Sequence, residues 1–385
     1  MASIFYYLFI VHAALFVRPV EPAAPAPAAI NPVANPVVER TRELIADRFD
    51  SLFTVLSSER GFNGNVLISR NGQVVYKNAF GYSDLKRKTP LSIGSVFQLA
   101  SVSKQFTSVA IMILHDRGKL EFSDTVQKFF PEFPYHNITI RDLLAHRSGL
   151  PNYMYFAGKY WKNKNEYLSN AGLMEMMTRY APKPEFPPDQ RYRYSNTGYA
   201  VLAAIVEKIS GMSFASFMEY NVFAPLGMRS TYVFNHAAAV ASPFQTIGYN
   251  KDRRPAHEDF LSGVVGDKGI YSTVEDMFKW DTGLYTDAIV KQSTLVEAFT
   301  PVSYDARHDS DYGYGWRLET LEDGSKVIYH AGWWRGYNSL YVRRLEDKTF
   351  IIVLSNKVNW SFRNIGRLLG IIDSTQLEMT TMGGD

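Results

Sequence analysis

Ser101 and Lys104 are the residues of this chain whose types and spacing most readily suggest chemistry. They begin the stretch FQLASVSKQFTSVAIMI, residues 97–113, whose apolar spacing predicts a buried helix. Residues three apart lie on the same face of a helix. A helix N-terminus also favours negative charge, because its first N–H groups lack intrahelical partners. A hydroxyl there, with an amine one turn away, could form an activated serine nucleophile.

The same S-x-x-K spacing occurs a second time, at Ser83 and Lys86. This copy lies in GYSDLKRKTP, a polar and turn-like segment with several basic residues and a proline. Nothing in such a segment would exclude water or fix the geometry of a reacting group. We therefore predict a solvated loop serine at position 83. The pattern alone leaves Ser101 undecided between a nucleophile and an ordinary helix-start serine.

A serine nucleophile needs a group that takes its proton and returns it to the leaving group. Lys104 could do so only while its amine is neutral, and Tyr194 in RYRYSNTGY is a second candidate. Tyr194 lies at a predicted loop-to-helix junction, with Asn196 two residues further on. Taken alone, it would be interpreted as a core or capping tyrosine. The other Tyr-x-Asn copy begins at Tyr135, next to a proline, and is expected at the surface.

A third segment of interest is His330-Ala331-Gly332, near the end of a predicted strand and followed by two tryptophans. A glycine in a strand lets another backbone or a substrate approach closely. A lone histidine is more often a structural residue than a functional one. The segment by itself decides neither interpretation.

The elements that would position these residues come from both ends of the chain. Residues 37–56 predict an amphipathic helix, and NVLIS and QVVYKNAF predict a hairpin that turns at Asn71-Gly72. The last third contains four strand-like segments, and residues 360–370 predict a closing helix. Strands and helices do not alternate along the chain in the way that predicts a parallel sheet. We predict an α/β fold of the α+β type: an antiparallel sheet built from both chain ends and flanked by helices, with a mostly helical region inserted at roughly residues 120–265.

Several expectations concern that inserted region and the segment after it. ITIRDLLAHRSGLPNY predicts a short helix that ends at Ser148-Gly149. Residues 153–190 are polar, aromatic and irregular, and their aromatic side chains could cover a cleft or cap the helices. Glu166 is expected at the surface. In GDKGIYSTVEDM, Ser272 or Thr273 is the predicted N-cap of a helix.

The N-terminus suggests export. Residues 4–17 form a 14-residue apolar run, whereas a membrane span needs about 20 residues. The run matches the apolar part of a signal peptide, although no Lys or Arg precedes Arg18. We expect a signal-like segment and a Pro/Ala-rich linker at 1–36, a catalytic domain at 37–372 and a tail at 373–385. The protein is expected in the periplasm or outside the cell, and an uncleaved membrane anchor at 4–17 is the alternative.

Composition excludes several classes of protein. The net charge of +3 is too small to indicate nucleic-acid binding, and the absence of cysteine excludes disulfides, thiolate zinc sites and a cysteine nucleophile. There is no G-x-S-x-G elbow, no H-E-x-x-H motif and no phosphate-binding loop. We predict no metal and no cofactor, and a small-molecule or peptide substrate. The sequence leaves the oligomeric state open.

Taken in order, the segments FQLASVSK, LLAHRSGLPNY, YSNTGY and HAGWWRGYNS resemble the serine β-lactamase and penicillin-binding-protein superfamily. The match is to its class C-like branch, which includes D-alanyl-D-alanine carboxypeptidases, D-aminopeptidases and esterases. GIYSTVEDMFKW and YGYGW resemble this branch as well, so that the resemblance covers roughly residues 40–370. It implies the β-lactamase/transpeptidase-like fold and a serine hydrolase that acts through an acyl-enzyme.

The resemblance also implies roles for individual residues. Ser101 would be the acylated nucleophile, and Lys104 and Tyr194 would share the proton transfers, with the choice of general base left open. Asn196 would position either the substrate or Lys104. The backbone N–H groups of Ser101 and Trp333 would form the oxyanion hole.

The third motif departs from the family pattern. His330-Ala331-Gly332 stands where the family has Lys-Thr-Gly, so that a permanent cation and a hydroxyl are both missing. A histidine is mostly neutral near pH 7, which weakens the anchor for a substrate carboxylate. Arg335 is a possible substitute for the missing cation. The departures favour an ester, or an amide of a D-amino acid or small peptide, over efficient β-lactam hydrolysis. The alternative is a non-catalytic member of the fold that binds peptidoglycan or self-associates.

Overall fold

A computed structural model describes residues 36–235 and 244–382, with side chains described for residues 37–235 and 244–375. The predicted signal-like run at residues 4–17 and the linker after it lie outside the described residues. The helices of the described part are α1 Pro36–Arg60, α2 Ser103–Asp116, α3 Ile140–Leu144, α4 Tyr153–Tyr160, α5 Asn170–Tyr180, α6 Asn196–Ser210, α7 Phe214–Met218, α8 Val274–Gly283, α9 Gln292–Ala298 and α10 Ile365–Met382.

The strands form one large antiparallel sheet and two small ones. Their bounds are β1 Gly64–Arg70, β2 Gln73–Phe80, β3 Tyr82–Asp84, β4 Thr89–Pro90, β5 Phe97–Gln98, β6 Tyr232–Val233, β7 Ile270–Ser272, β8 Ser303–Asp305, β9 Ser310–Tyr312, β10 Arg317–Thr320, β11 Lys326–Trp334, β12 Tyr337–Arg344 and β13 Thr349–Ser355. The large sheet has the order β2-β1-β13-β12-β11-β10-β9-β8, and the small sheets are β3-β4 and β5-β7-β6.

The large sheet joins the two ends of the chain, as the sequence predicts. β1 pairs with β2 on one side and with β13 on the other, while helices α2 to α9 lie between the two groups of strands in the sequence. The β1–β2 turn is at Asn71 and Gly72, and both residues have positive φ, 50° and 72°. Positive φ at both central residues is the requirement of the hairpin turn that Asn-Gly favours.

Two hydrophobic clusters cover the two faces of this sheet. In β13, Phe350, Ile352 and Leu354 belong to the cluster on the side of the inserted helices, and Ile351 and Val353 belong to the other cluster. The alternation follows from the two-residue period of a strand. The second cluster is completed by apolar side chains of α1 and α10. The sheet is thus buried on both faces, and the inserted helices cover the face that carries the site.

The inserted region is more regular than the sequence suggests. Residues 153–190 contain α4 and α5, which begin where the Asn152 and Ser169 side chains accept hydrogen bonds from the first turn. Helix α3 ends at Leu144, before the predicted stop at Ser148-Gly149, because His146 adopts a positive φ of 58°. Thr273 caps α8, with its hydroxyl accepting from the N–H of Asp276, as predicted.

Two further expectations are corrected. Tyr135 is 7% exposed rather than at the surface, because its ring packs 5.2 Å from that of Phe133 and its hydroxyl donates to the carbonyl of Pro182. The last helix spans Ile365–Met382 rather than the predicted residues 360–370. Within the described residues, no single helix has the length and apolar composition of a membrane span, although α6 and the residues up to Phe223 meet both criteria as a pair bent by 78°.

Candidate active site

Ser101 lies in a tight turn between β5 and α2. The turn is a short 3-10 helix, Ala100–Val102, and Ala100 has a φ of +49°, in the left-handed region that few residues other than glycine adopt. Two hydrogen bonds fix Leu99, the residue before this turn. Its N–H donates to the carbonyl of Ile270 at 2.8 Å, and its carbonyl accepts from the Ser339 hydroxyl at 2.6 Å. The surrounding sheets therefore determine where Ser101 lies.

Gly332 packs directly against this turn. A Cβ atom at position 332 would lie 2.4 Å from the carbonyl oxygen of Leu99 and 3.0 Å from the Cβ of Ala100. No side chain fits there without moving the backbone. The sequence predicts that this glycine permits a close approach. In the structure, it allows strand β11 to pack against Leu99 and Ala100, directly before Ser101.

Lys104 lies in the first turn of α2 and is fully buried, with 0% exposure. Its Nζ is 3.2 Å from the Ser101 Oγ, 2.9 Å from the Asn196 Oδ1 and 2.8 Å from the main-chain oxygen of Asp267. It also lies 4.8 Å from the centre of the Tyr194 ring. The structure thus brings together Ser101, Lys104, Tyr194 and Asn196, which the sequence places in two distant segments.

Tyr194 and Asn196 are positioned by the beginning of α6. The Ser195 hydroxyl accepts from the N–H of Gly198 at 3.3 Å and caps the helix, so that Asn196 is the first helical residue. Cβ atoms point towards the N-terminus of a helix, and this orientation directs Asn196 back to Lys104. Tyr194 is half-buried and lies just outside the cap.

His146 also contributes to the site, and its role was not predicted from the sequence. Its Nδ1 accepts from the N–H of Ser195 at 3.1 Å, and its ring lies 4.3 Å from the Tyr194 ring. Burial, followed by the charge of Lys104, holds the pKa of His146 well below its usual value, so that the ring is neutral. The histidine lies in LLAHRSGLPNY, one of the segments that carry the family resemblance, and this was the available signal in the sequence.

His330 is buried and neutral. Its Nδ1–H donates to the carbonyl of Ala331 at 2.8 Å, because a carbonyl only accepts, and its Nε2 therefore accepts from the Tyr312 hydroxyl at 3.2 Å. Burial, then the charges of Arg317 and Lys104, lower the pKa of His330 well below its usual value. The third motif therefore supplies no cation near pH 7.

Strand β11 leaves an open edge next to these residues. Strand β10 pairs with β11 only from Lys326 to Tyr329, so that no strand of the described residues continues this pairing along 330–334. The Trp333 side chain is 55% exposed. An unpaired strand edge can accept an extended peptide by backbone hydrogen bonding. The oxyanion-hole role of the Ser101 and Trp333 N–H groups remains a prediction.

A cavity of about 900 Å³ lies along this edge. Its wall includes the site residues Tyr194, Asn196 and His330. The aromatic side chains of Tyr155, Tyr304 and Trp333 also line it. Tyr155 is 85% exposed, so that this aromatic residue of α4 faces the cavity mouth, whereas its neighbour Tyr153 is fully buried. The segment that the sequence left undecided thus contributes to both the cleft and the core.

The charges of the cavity wall are mainly positive. Among the described residues, five arginines and two carboxylates line it: Arg191, Arg193, Arg307, Arg317, Arg363, Glu185 and Asp305. Both carboxylates are used in ion pairs, since Glu185 lies 3.1 Å from Arg193 and Asp305 lies 2.7 Å from Arg317. The wall therefore has a net positive charge available to a ligand.

Arg363 is the cation next to the third motif. Its Nη2 donates to the carbonyl of Gly332 at 2.7 Å, and its guanidinium lies 3.6 Å from the centre of the Trp360 ring. Burial lowers the pKa of Arg363 to about 9, and no carboxylate of the described residues forms an ion pair with it. Arg335, which the sequence suggests for this role, is instead paired with Asp259.

The competing candidates lie elsewhere. The Ser83 hydroxyl donates to the carbonyl of Thr89 at 3.2 Å within the β3–β4 hairpin, and the Lys86 side chain is exposed. Glu166 is exposed, as predicted. Nowhere in the described part of the chain do three or more His, Asp or Glu residues gather as they would around a metal ion.

The family model named Beta-lactamase matches residues 49–372, and the chain belongs to this family. Penicillin-binding protein 4* of Bacillus subtilis (strain 168) is 35% identical over 320 residues, which are 80% of this chain and 71% of that protein. The chain is accordingly a serine hydrolase of the β-lactamase and penicillin-binding-protein family.

Two further comparisons extend this relationship. A D-aminopeptidase of Cereibacter sphaeroides is 26% identical over 300 residues, and the matched region covers 77% of this chain but only 57% of that protein. The crystal structure of a penicillin-binding protein from Bacillus halodurans superimposes with a TM-score of 0.72 at 25% identity, covering 84% of this chain and 98% of that one. The superposition supports the antiparallel sheet with inserted helices as a fold shared with that protein.

Proposed function

We propose that this chain is an exported hydrolase that opens an ester or amide bond through an acyl-enzyme on Ser101. The observation that carries the proposal is the environment of Lys104. Its amine is fully buried and lies 3.2 Å from the Ser101 hydroxyl. A neutral amine at hydrogen-bonding distance from a hydroxyl can act as a general base for it.

The reaction would proceed in two halves. The Ser101 Oγ attacks the substrate carbonyl carbon while its proton passes to the Lys104 Nζ, and the negative oxygen is held by the N–H groups of Ser101 and Trp333. Tyr194, beside Lys104, relays the proton to the leaving alcohol or amine as the scissile bond breaks. In the second half, water attacks the acyl carbon and loses its proton to the same pair. The pair returns a proton to the Ser101 Oγ as the bond between the acyl carbon and this oxygen breaks and the acid product leaves. Removing one oxyanion donor typically costs about 100- to 1000-fold in rate.

We further propose that the preferred substrate carries a carboxylate close to the scissile bond, as a small D-amino-acid peptide does. The support is Arg363, a largely buried guanidinium that contacts the carbonyl of Gly332 at 2.7 Å and faces a cavity of positive charge. A buried cation without a counter-ion is costly, and an incoming carboxylate would provide one. A free α-ammonium group would find no comparable partner, because Glu185 and Asp305 are already paired.

Export is proposed from the sequence. The apolar run at residues 4–17 followed by a Pro/Ala-rich linker supports a signal segment or an anchor. A location outside the cytoplasm would give the enzyme access to cell-wall peptides, which contain D-amino acids. Fractionation of cells that express the full chain, followed by N-terminal sequencing, tests this part, and an intact Met1 in the cytoplasmic fraction would contradict it.

A fluorophosphonate probe tests the catalytic proposal. The probe forms a stable bond with an activated serine, so the folded protein should be labelled and the Ser101→Ala variant should not. The Ser83→Ala variant should label like the unmodified protein. A folded protein that takes no label would favour the non-catalytic alternative, in which the cleft binds its ligand without turnover.

A further inference from the structure

A buried ion pair lies directly behind Lys104. Asp267 and Lys268 follow the 3-10 turn Phe260–Gly263 and are 0% and 3% exposed. The Lys268 Nζ donates to the Tyr153 hydroxyl and to the carbonyl of Val264, each at 2.7 Å, and lies 3.5 Å from the Asp267 Oδ1. The Tyr153 hydroxyl in turn donates to the Asp267 Oδ2 at 2.9 Å. Every member of this group is therefore tied to another.

Stability alone is a poor reason for such a pair. Replacing a buried ion pair with apolar residues of similar size is often neutral or stabilising, because the desolvation of two charges offsets their attraction. The pair is, however, connected to the site. The main-chain oxygen of Asp267 accepts the hydrogen bond from the Lys104 Nζ at 2.8 Å.

The backbone at this point is held in place on several sides. Gly266 has a φ of +100°, and a Cβ atom there would lie 2.6 Å from the carbonyl oxygen of Tyr199 on α6. The carbonyl of Gly266 accepts from the Thr107 hydroxyl of α2 at 2.7 Å. The Asp267 side chain is tied to Tyr153 of α4. The direction of the Asp267 carbonyl is thus determined by three helices.

That direction matters for the chemistry of an amine. A neutral lysine has two N–H donors and one lone pair, and the Asn196 Oδ1 and the Asp267 carbonyl accept from Lys104 at 2.9 and 2.8 Å. With both donors engaged, the lone pair is left for the third neighbour, the Ser101 hydroxyl. If the Asp267 carbonyl turned away, an N–H could point at Ser101 instead and the amine could not take its proton.

The charged groups around Lys104 are the same pair and Glu258, whose carboxylate accepts from Gln98 and Tyr271. Several titratable and charged groups face Lys104 or its neighbour Lys268. Those from the helices and from β11 are Tyr194 just before α6, Tyr199 in α6, His146 just after α3, Tyr153 in α4 and His330 in β11. The segment after residue 257 contributes Glu258, Asp267 and Lys268. Burial lowers the pKa of both histidines and raises the pKa of Tyr199 and Tyr153, so that all four are neutral near pH 7.

We propose that Asp267, Lys268 and Tyr153 form a positioning group for Lys104. The group directs the Asp267 carbonyl at the amine and places two opposite charges beside it that cancel, so that Lys104 is free to lose its proton. The inference deepens the proposed function and rests on it.

The test is the pH dependence of kcat/KM for a p-nitrophenyl ester, which reports the ionisation of the free enzyme. Lys268→Met leaves a buried carboxylate that favours a protonated Lys104, and the acidic limb should move to higher pH. Asp267→Asn leaves a buried cation that disfavours it, and the limb should move to lower pH. Each displacement should be about one pH unit, the low end for a nearby charge. If the pair only stabilised the structure, the two substitutions would not shift the acidic limb in opposite directions.

A matched control is available in the pair Asp281–Arg343, which is also buried and whose members lie 3.2 Å apart. Asp281→Asn should lower thermal stability and leave the acidic limb in place.

Circular dichroism establishes whether each variant is folded. If Lys268→Met does not fold, Asp267→Asn decides alone, because asparagine keeps the size of the side chain and an acceptor for Tyr153. Limbs that do not move, or that move in the same direction, in folded variants would overturn the inference. An inactive unmodified protein would instead refute the proposed function.

Discussion

The two S-x-x-K segments of this chain have the same spacing and different surroundings. At Ser101, the lysine of the motif is fully buried and contacts the serine, an amide oxygen and a main-chain carbonyl. At Ser83, the hydroxyl donates within a short hairpin and the lysine is exposed. The spacing only permits an amine to reach a hydroxyl. The lysine can act as a base, and the serine as a nucleophile, because the amine is shielded from water and its donors are already engaged by other acceptors.

The largest expected effect separates the two serines. Ser101→Ala should lower ester hydrolysis at least about 10 000-fold, because the nucleophile itself is lost. Ser83→Ala should leave the rate within about twofold, as for a surface substitution away from the site. Release of p-nitrophenol by the two purified variants measures both effects. If the Ser83 variant were inactive while folded, the nucleophile would be wrongly assigned.

The two lysines should differ nearly as much. Lys104→Ala removes the proposed base and should slow acylation by about 1000-fold, within the range for a positioned proton-transfer group. The equivalent change at the exposed Lys86 should have no measurable effect on the rate. Stopped-flow measurement of the first turnover isolates acylation from the later steps. Equal rates for the two variants would show that burial of Lys104 has no part in catalysis.

The two tyrosines of the Tyr-x-Asn copies sharpen the comparison further. Tyr194→Phe should cost at least about 100-fold in kcat, the low end for an acid–base group. Tyr135→Phe removes a hydrogen bond to Pro182 and should reduce stability rather than the rate. Steady-state kinetics and thermal unfolding of both variants provide the two readouts. An effect of less than about threefold at Tyr194 would remove it from the mechanism.

The smallest effect concerns substrate choice. Arg363→Gln should raise KM about tenfold for an N-acyl-D-alanyl-D-alanine peptide, which is what the loss of one charge-assisted hydrogen bond costs. Hydrolysis of the corresponding C-terminal amide, which has no carboxylate, should be unaffected. Arg367, exposed on α10, provides the matched control as Arg367→Gln. A change of equal size for both peptides would contradict the carboxylate-binding role of Arg363.

Much of the fold follows from local signals. The Asn71-Gly72 turn, the Thr273 cap and the apolar strands at both chain ends are each specified by a few neighbouring residues. Long-range packing decides the rest. Tyr135 is buried because Pro182, far along the chain, accepts from its hydroxyl. No local pattern near Tyr135 contains that information.

The candidate site divides in the same way. Ser101, Lys104, Tyr194 and Asn196 are found from short motifs, and the structure brings them together. The cation beside Gly332 could not be found from the sequence. Arg335 is close to the motif in sequence but pairs with Asp259, whereas Arg363 reaches it from the segment before the last helix.

The buried pair behind the lysine was missed for a related reason. Asp267 and Lys268 are adjacent charged residues between two glycines, a pattern typical of an exposed turn. Their burial depends on Tyr153 and Val264. Charged residues are almost never fully buried unless they are paired, so sequence alone favours the surface.

The most direct test of the Ser101 acyl-enzyme is intact-protein mass spectrometry during incubation with p-nitrophenyl butyrate and, separately, with a penicillin. We expect the protein to gain the mass of one acyl group, located by proteolysis on the peptide that contains Ser101, while p-nitrophenol is released. The Ser101→Ala variant should gain no mass. A folded protein that gains no mass with either compound and releases no p-nitrophenol would contradict the proposal and favour a binding protein on the same fold.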